Sequence, residues 1–412
     1  MASVQRNRER ELSLSEVIRK YPHVSPFVII KADVQRRGVS FSRAALDRVD
    51  LAVHQVEYRG FSRETTGAIP VSLMMRDGTS ILTGFTVNNG NRIPYIVDIA
   101  DDRIVLTDQG SVIEEVDYWE KPDYYSKETS NHIPMWQIAM ARPQRIDLYP
   151  FQYCEFWDTP GQGCKYCSIA VTYKKAQKSK YIGLTDIAET VREALKQPGR
   201  YMSVFLTGGS ILSGKEMLDD EVNLYISVLR EIGKNFRTPK FPSQLIATAF
   251  TKKQLKRLFE NTGLSSYTAD IEVLNKEKFE WICPGKAAKI GYDEWKNRLY
   301  HAVDIFGAGN VNTGIVGGVE MAKPNGFTGE DEALEAVLSE AEELAKHGVS
   351  VVQCVWTVAE GSVFFNQKTP SLDYYVRLSY GLDQLRRKYR INADMDNYRR
   401  CGNHPDTDLS RI

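Results

Sequence analysis

The chain lacks a surplus of either charge: its 53 Lys and Arg balance 53 Asp and Glu. General affinity for a phosphate backbone rests on excess cations, so bulk nucleic-acid binding is disfavoured, although a locally basic patch is allowed. No run of about 18 apolar residues occurs, so no membrane-spanning helix is expected. The first ten residues, Met1 to Arg10, are polar and carry no apolar core of a secretory signal, which points to a cytoplasmic protein. There are only six histidines, scattered and without H-x-H or H-x-x-x-H pairing, and none is assigned to catalysis. Cysteines also number six, and in a reducing compartment they are not expected to form disulfides. No internal repeat or low-complexity segment is present. What remains is a 412-residue chain, 42% hydrophobic and 26% charged, a globular balance with length for one large domain or two to three ordinary ones.

Two rhythms divide it. Up to residue 145 the pattern is short and mixed. Ser13 to Lys20 is amphipathic, Phe27 to Ile30 reads as a strand, and Ser42 to Val53 reads as a helix opened by a Ser cap. Val71 to Met75 and Ile81 to Val87 flank Asp77-Gly78, a hairpin signal. Pro94 to Ile99, Arg103 to Leu106 and Val112 to Val116 continue the short runs. We expect an N-terminal α+β accessory domain rich in antiparallel strands over residues 1–145, with a turn-rich connector from Tyr118 to Pro134.

From residue 146 strand-like and helical runs alternate. The expected strands are Ile146 to Tyr149, Ser203 to Leu206, Gln244 to Ala249, Ser266 to Val273, Asn310 to Ile315 and Ser350 to Val355. The expected helices are Ile187 to Gln197, Lys215 to Gly233, Lys252 to Asn261, Tyr292 to Phe306, Glu330 to His347 and Leu372 to Tyr389. Asp186 with Glu189 reads as a capping box and Gly348 as a helix stop. Six strand–helix units predict a parallel sheet with right-handed crossovers, closed as a partial (β/α)6 TIM-like barrel over residues 146–365. Residues 366–412 are expected to add a helix and a polar tail, ordered only at its start, with either end of the chain covering the barrel mouth.

Three cysteines fall within fourteen residues: Cys154, Cys164 and Cys167, spaced C-x9-C-x2-C just past the first barrel strand. Thiolates suit zinc or iron–sulfur centres. Structural zinc normally takes four protein ligands, and no fourth has ligand spacing; His132 and Cys283 are the nearest. A four-cysteine iron cluster meets the same difficulty. A cluster held by three cysteines leaves one iron open to a cofactor. Three unconnected structural cysteines are the remaining reading.

Cys154, Cys164 and Cys167, with aromatic Tyr166 before the last, resemble the cluster loop of the radical S-adenosylmethionine superfamily. The commonest spacing there is C-x3-C-x2-C, so the first gap here is longer. A C-x9-C-x2-C gap occurs in the elongator catalytic-subunit family, whose acetyltransferase half is not recognisable in this chain. The resemblance covers roughly residues 146–365. It implies a [4Fe-4S] cluster on the three cysteines and S-adenosyl-L-methionine at the open iron. Thr207-Gly208-Gly209-Ser210 stands at the superfamily's Gly-Gly-Glu position beside the methionine amino group, with Ser210 where Glu is usual; a plain strand-to-helix turn is the bland alternative. Glu272 is the ribose candidate by resemblance, or else a strand-end charge or internal ion pair. Asn312 to Glu320 looks like the G-x-I-x-G-x-x-E adenine motif through Gly314, Ile315, Gly317 and Glu320, with Ile315 one place early and Glu320 ordering the loop. Trp356 is a further adenine candidate, with core packing its alternative.

Cys283, ahead of Pro284-Gly285, could donate hydrogen, ligate a second cluster or be inert; Cys354 falls within a strand, and Cys401 is isolated. The resemblance implies reductive cleavage of S-adenosylmethionine to a 5′-deoxyadenosyl radical, an electron donor of ferredoxin or flavodoxin type, and hydrogen abstraction from a small-molecule or peptide substrate. No D-x-H-x-x-G pattern supports cobalamin. A tRNA-modifying enzyme is the second reading, tested by the basic runs Arg192 to Arg200 and Lys252 to Arg257, which otherwise read as solvated helix faces. A zinc-stabilised, non-catalytic interaction module is the third.

Overall fold

The computed structural model describes residues 11–58, 68–83, 92–176, 179–391 and 402–410; Cys401 lies outside them. Ser13 opens the helix Leu14–Lys20 through a reciprocal capping box with Glu16. Pro26 then starts a second helix, Pro26–Arg37. Phe27 to Ile30, expected as a strand, is therefore the first turn of a helix. Its apolar run has a physical reason: Val28, Ile29 and Ala32 face the main core, while Ile30 and Val34 face a second one. A helix that serves as a wall between two cores carries apolar residues on both faces, and a short run of that kind carries no period.

The N-terminal strands are β1 (Val39–Phe41), β2 (Val56–Tyr58), β3 (Ala68–Pro70), β4 (Ser72–Met75), β5 (Ser80–Leu82), β6 (Tyr95–Ala100), β7 (Arg103–Asp108) and β8 (Ser111–Tyr118). Six of them form a sheet in the order β1-β6-β7-β8-β4-β5, and β2 pairs with β3. The Asp77-Gly78 hairpin forms, with Asp77 accepting from Thr79 N at 2.8 Å. Ser42 caps a helix as expected, but the helix stops after one turn, Arg43–Leu46.

The second sheet contains β9 (Ala139–Arg142), β10 (Arg145–Leu148), β11 (Ser203–Leu206), β12 (Ser243–Ile246), β13 (Ser266–Thr268), β14 (Val311–Gly317) and β15 (Val349–Val355). β10 to β15 lie parallel and in chain order; β9 runs antiparallel at one edge and was missed from sequence. This is the partial TIM-like barrel: six parallel strands whose C-terminal ends share one side. The helices between them pack Val191, Leu229, Leu258, Leu299 and Val337 onto the outer face.

Several local expectations are corrected. The Asp186–Glu189 capping box does not form. Gly183 caps the helix Leu184–Ala194, and both carboxylates instead accept from the preceding connector, Asp186 from Thr129 and Glu189 from Ser130. The helix expected from Lys215 begins at Asp219, after Gly214 and Leu218 take positive φ. Short helices Ile169–Ala176, Lys276–Ile282 and Pro284–Lys289 were unforeseen. The polar tail is not loose beyond its start. Residues 402–410 include the helix Pro405–Asp408, with Asp406 and Asp408 fully buried. They lie along the free edge of β15: Asp406 accepts from Gln353 N at 3.2 Å, and His404 Nδ1 lies 3.0 Å from Gln353 O. An open strand edge is a pairing hazard, and this segment covers it.

Candidate active site at the C-terminal ends of the barrel strands

The three cysteines sit on the loop after β10. Cys154 precedes a 3-10 turn, Glu155–Trp157. A tight turn brings the other two together, with Cys167 N donating to Cys164 O at 3.0 Å and Ile169 N to Cys167 Sγ at 3.4 Å. All three thiols are free and lie within electrostatic reach of one another. Burial pushes Cys154 up to about 11 and Cys167 up to about 12. Cys164 is held low, first by a hydrogen bond from Cys283 and further by the Lys286 ammonium.

The Gly-Gly turn after β11 supports this loop from below. A Cβ on Gly209 would stand 1.9 Å from Tyr153 O and 2.5 Å from Cys154 Cβ; one on Gly208 would stand 2.6 Å from Phe151 O. Both glycines are thus required by the cysteine loop itself. Glu155 N donates to Ser210 O at 2.9 Å, and Glu155 accepts from Leu212 N at 2.6 Å. Thr207 N donates to Leu148 O, joining the two strand ends. Ser210 lacks a carboxylate, but one lies behind it. Glu221, buried in the helix Asp219–Gly233, accepts from Ile211 N (3.0 Å) and Thr248 N (2.9 Å). Thr248 Oγ1 is 2.6 Å from Ser210 Oγ. Burial raises Glu221 to about 7.

Beyond β13 the chain bends sharply. Glu272 takes φ +73°, a conformation that side chains rarely adopt. Its N donates to Gly314 O at 3.0 Å and its carbonyl accepts from Val316 N at 2.9 Å. Its carboxylate accepts from Lys286 Nζ at 2.8 Å, so an internal ion pair is present at the ribose candidate. Lys286 also donates to Asp270 O at 2.7 Å and lies over the Trp295 ring. Burial, then the neighbouring Glu272 charge, raises Asp270 to about 7, while its Oδ1 accepts from Gly314 N at 2.7 Å. Tyr166 is half-buried between this acidic group and the thiols, and burial raises its phenol.

The adenine motif divides between two faces. A Cβ on Gly314 would meet Asp270 at 2.7 Å, whereas one on Gly317 would meet Gln353 at 2.4 Å and Leu378 at 2.9 Å. Side chains alternate along a strand, so Ile315 shares the outer face with Gly317 and packs in the main core. Val316 shares the face of Gly314. The one-place offset of Ile315 thus moves it across the sheet. Glu320 orders its loop: it accepts from Gly318 N at 3.0 Å and from the Tyr374 hydroxyl. Trp356 is buried, its N donating to Gly317 O at 3.2 Å and its ring edge-on to Phe364. Cys354 lies 3.7 Å from His404 Nδ1, away from the cysteine loop.

The cysteine loop, the Gly-Gly turn and Glu272 therefore converge with Gly314, while Ile315, Gly317 and Trp356 pack outward or in the core. Lys286, Asp270 and Glu221 were missed from sequence; the one signal was Pro284-Gly285, which opens the helix that carries Lys286. Among the described residues, no three His, Cys, Asp or Glu side chains converge on one metal ion. Three free thiols on one loop, without three ligands gathered on one ion, fit a cluster better than a single ion. The glycine cradle and the buried Lys286 fit a negatively charged centre held at this place.

No family model matches the chain. A curated relative, bacteriochlorophyllide c C-7(1)-hydroxylase of Chlorobaculum limnaeum, is 24% identical over 382 residues, covering 89% of this chain and 88% of the relative. Among solved structures, a radical SAM methyltransferase from Sphaerobacter thermophilus matches at 13% identity and a TM-score of 0.41, covering 76% of this chain and 82% of its own.

Proposed function

We propose, for a chain that takes its place among the enzymes of the radical S-adenosylmethionine superfamily, hydrogen abstraction from a carbon–hydrogen bond of a small-molecule substrate, leading to oxidation or modification of that carbon. Cys154, Cys164 and Cys167 would hold a [4Fe-4S] cluster. When bound, the cluster supplies the electron that splits S-adenosylmethionine into methionine and a hydrogen-abstracting radical. The observation that carries the reading is the gathering of three free thiols, Lys286 and Glu272 at the C-terminal ends of the parallel strands, where barrel enzymes keep their chemistry.

The chain's own residues have separate tasks. Gly208 and Gly209 let the cysteine loop sit directly on the second strand end. Ser210 and Thr248, backed by Glu221, present hydroxyls where the superfamily's carboxylate is usual. The Gly314 face, with Asp270 and Glu272, offers acceptors for a ribose or amine. The full-length relationship to a hydroxylase favours a small organic substrate over a macromolecule. A small-molecule reading also agrees with the basic helix at Lys252: Lys252, Lys253, Lys256 and Arg257 pair with Asp304, Glu216, Glu260 and Asp219. That run is a neutralised solvent face, which removes its support for tRNA.

The test is anaerobic reconstitution with iron and sulfide, reduction by a low-potential donor, and assay of 5′-deoxyadenosine and methionine. Formation of both products is expected, with loss in each Cys154→Ala, Cys164→Ala and Cys167→Ala variant. Intact folded protein that binds no iron and splits no cofactor overturns the proposal.

A further inference from the structure

Cys283 is a fourth thiol beside the cysteine loop, contributed by the joint between the helices Lys276–Ile282 and Pro284–Lys289. Two backbone bonds bracket it: Lys165 N donates to Ile282 O at 2.9 Å, and Gly285 N donates to Gln162 O at 3.0 Å. These bonds run in antiparallel sense and leave Cys164 and Cys283 opposite one another between them. In such a non-hydrogen-bonded pair the side chains lie closer together than in a hydrogen-bonded one. Pro284 has no N–H and cannot close the bracket one residue earlier. The approach depends on Gly285 having no side chain, since a Cβ there would stand 2.4 Å from Gln162 O and 2.7 Å from Phe156 Cδ1. Cys283 is fully buried and Cys164 nearly so. The Cys283 and Cys164 thiols therefore face each other across this joint, each within the other's electrostatic reach.

We propose that Cys283 is a positioning residue for the centre: it does not ligate iron, and its S–H donates to the Cys164 thiolate and sets the reduction potential of the cluster bound there. This deepens the reading of the same site and rests on it. Hydrogen bonds to ligand sulfurs are one of the protein's controls on iron–sulfur potentials. A donor at the thiolate withdraws negative charge, so it favours the reduced, more negative state and raises the potential. Removing the donor makes the cluster harder to reduce. The other charged neighbours are Lys286 and Lys165, which act in the same direction, and Glu272, which opposes it. Cys283 is the one among them that the backbone holds opposite Cys164.

The experiment compares the full chain with Cys283→Ala and Cys283→Ser after anaerobic reconstitution. It reads iron and sulfide content, thermal melting, and the midpoint potential from a titration followed by electron paramagnetic resonance. Equal iron content is expected in all three proteins. The midpoint of Cys283→Ala should move negative, and Cys283→Ser, which keeps a donor of similar size, should return towards the parent. Identical midpoints at equal iron content would overturn the proposal and leave the cluster intact. Loss of iron confined to the Cys283 variants, with melting unchanged, would overturn it by making Cys283 a ligand. A parent chain that takes up no iron at all would instead overturn the underlying reading.

Discussion

Position 209 shows how little freedom the site allows a single residue. The space for its Cβ is taken by Tyr153 O and Cys154 Cβ, so Gly209→Ala must push the cysteine loop off the second strand end. Overpacking of this kind costs about 1–3 kcal/mol. We expect Gly209→Ala to fold with a lower melting temperature and to take up less iron than the parent, whereas Gly329→Ala, at a helix N-cap with no neighbour within 4 Å, should leave iron uptake unchanged. Melting curves with iron assays check both. At this scale the sequence was legible where chemistry is carried by a rare side chain. Six cysteines in 412 residues make a three-cysteine loop conspicuous. Asp270 and Lys286 were not legible, because a buried carboxylate or ammonium looks like any surface charge until its partners arrive. Lys286 meets Glu272 fourteen positions away, and Asp270 meets Gly314 forty-four away.

The β14 strand and its following turn carry a pH-sensitive element. Glu320 is buried beneath Gly318 and Tyr374, and burial raises its carboxyl from the ordinary 4.5 to about 7. Its folded value exceeds its unfolded one, so the protonated form is the one that folding favours. The stability this confers is full below pH 4.5 and is lost as pH rises through 7. The span corresponds to about 3 kcal/mol at most. Glu320→Gln removes the titration. The parent should therefore lose melting temperature relative to Glu320→Gln as pH is raised from 5 to 8, and parallel pH profiles would contradict the assignment. The existence of β14 was legible from its apolar run, and so was the helix stop at Gly348, which has φ +83°. The face of Ile315 was not, because one place of offset reverses a side chain in a strand. Capping was likewise legible at Ser42 but not at Asp186, whose carboxylate is taken by Thr129 and Asn131 from a distant connector.

Across the whole molecule, the two sheets are joined by buried charge as well as by the shared helix Pro26–Arg37. Lys31, fully buried on that helix, pairs with Asp408 at 2.5 Å; Arg386 pairs with Asp406 at 2.7 Å and reaches Val351 O at 2.8 Å. Both acids belong to residues 402–410, so this segment ties β15, the last long helix and the N-terminal helix together. Removing one partner of a buried pair costs about 3–5 kcal/mol. Asp408→Asn should lower the melting temperature far more than Asp373→Asn, whose partner Lys20 is largely exposed, and differential scanning calorimetry distinguishes them. Parallel strand order and the hairpin meander were legible from alternating runs and turn residues. The tail was not: its composition is polar, and it is ordered by long-range pairing rather than by apolar burial. No helix among the described residues is long and apolar enough to cross a membrane.

The proposed function requires three thiols, and not four, at the iron centre, so that one iron is left for S-adenosylmethionine. Electron paramagnetic resonance of the anaerobically reconstituted, reduced chain, recorded with and without S-adenosylmethionine, tests this most directly. A [4Fe-4S]+ signal whose g-values shift when the cofactor is added is expected. A signal unchanged by saturating cofactor, or no iron signal from correctly folded protein, would contradict it.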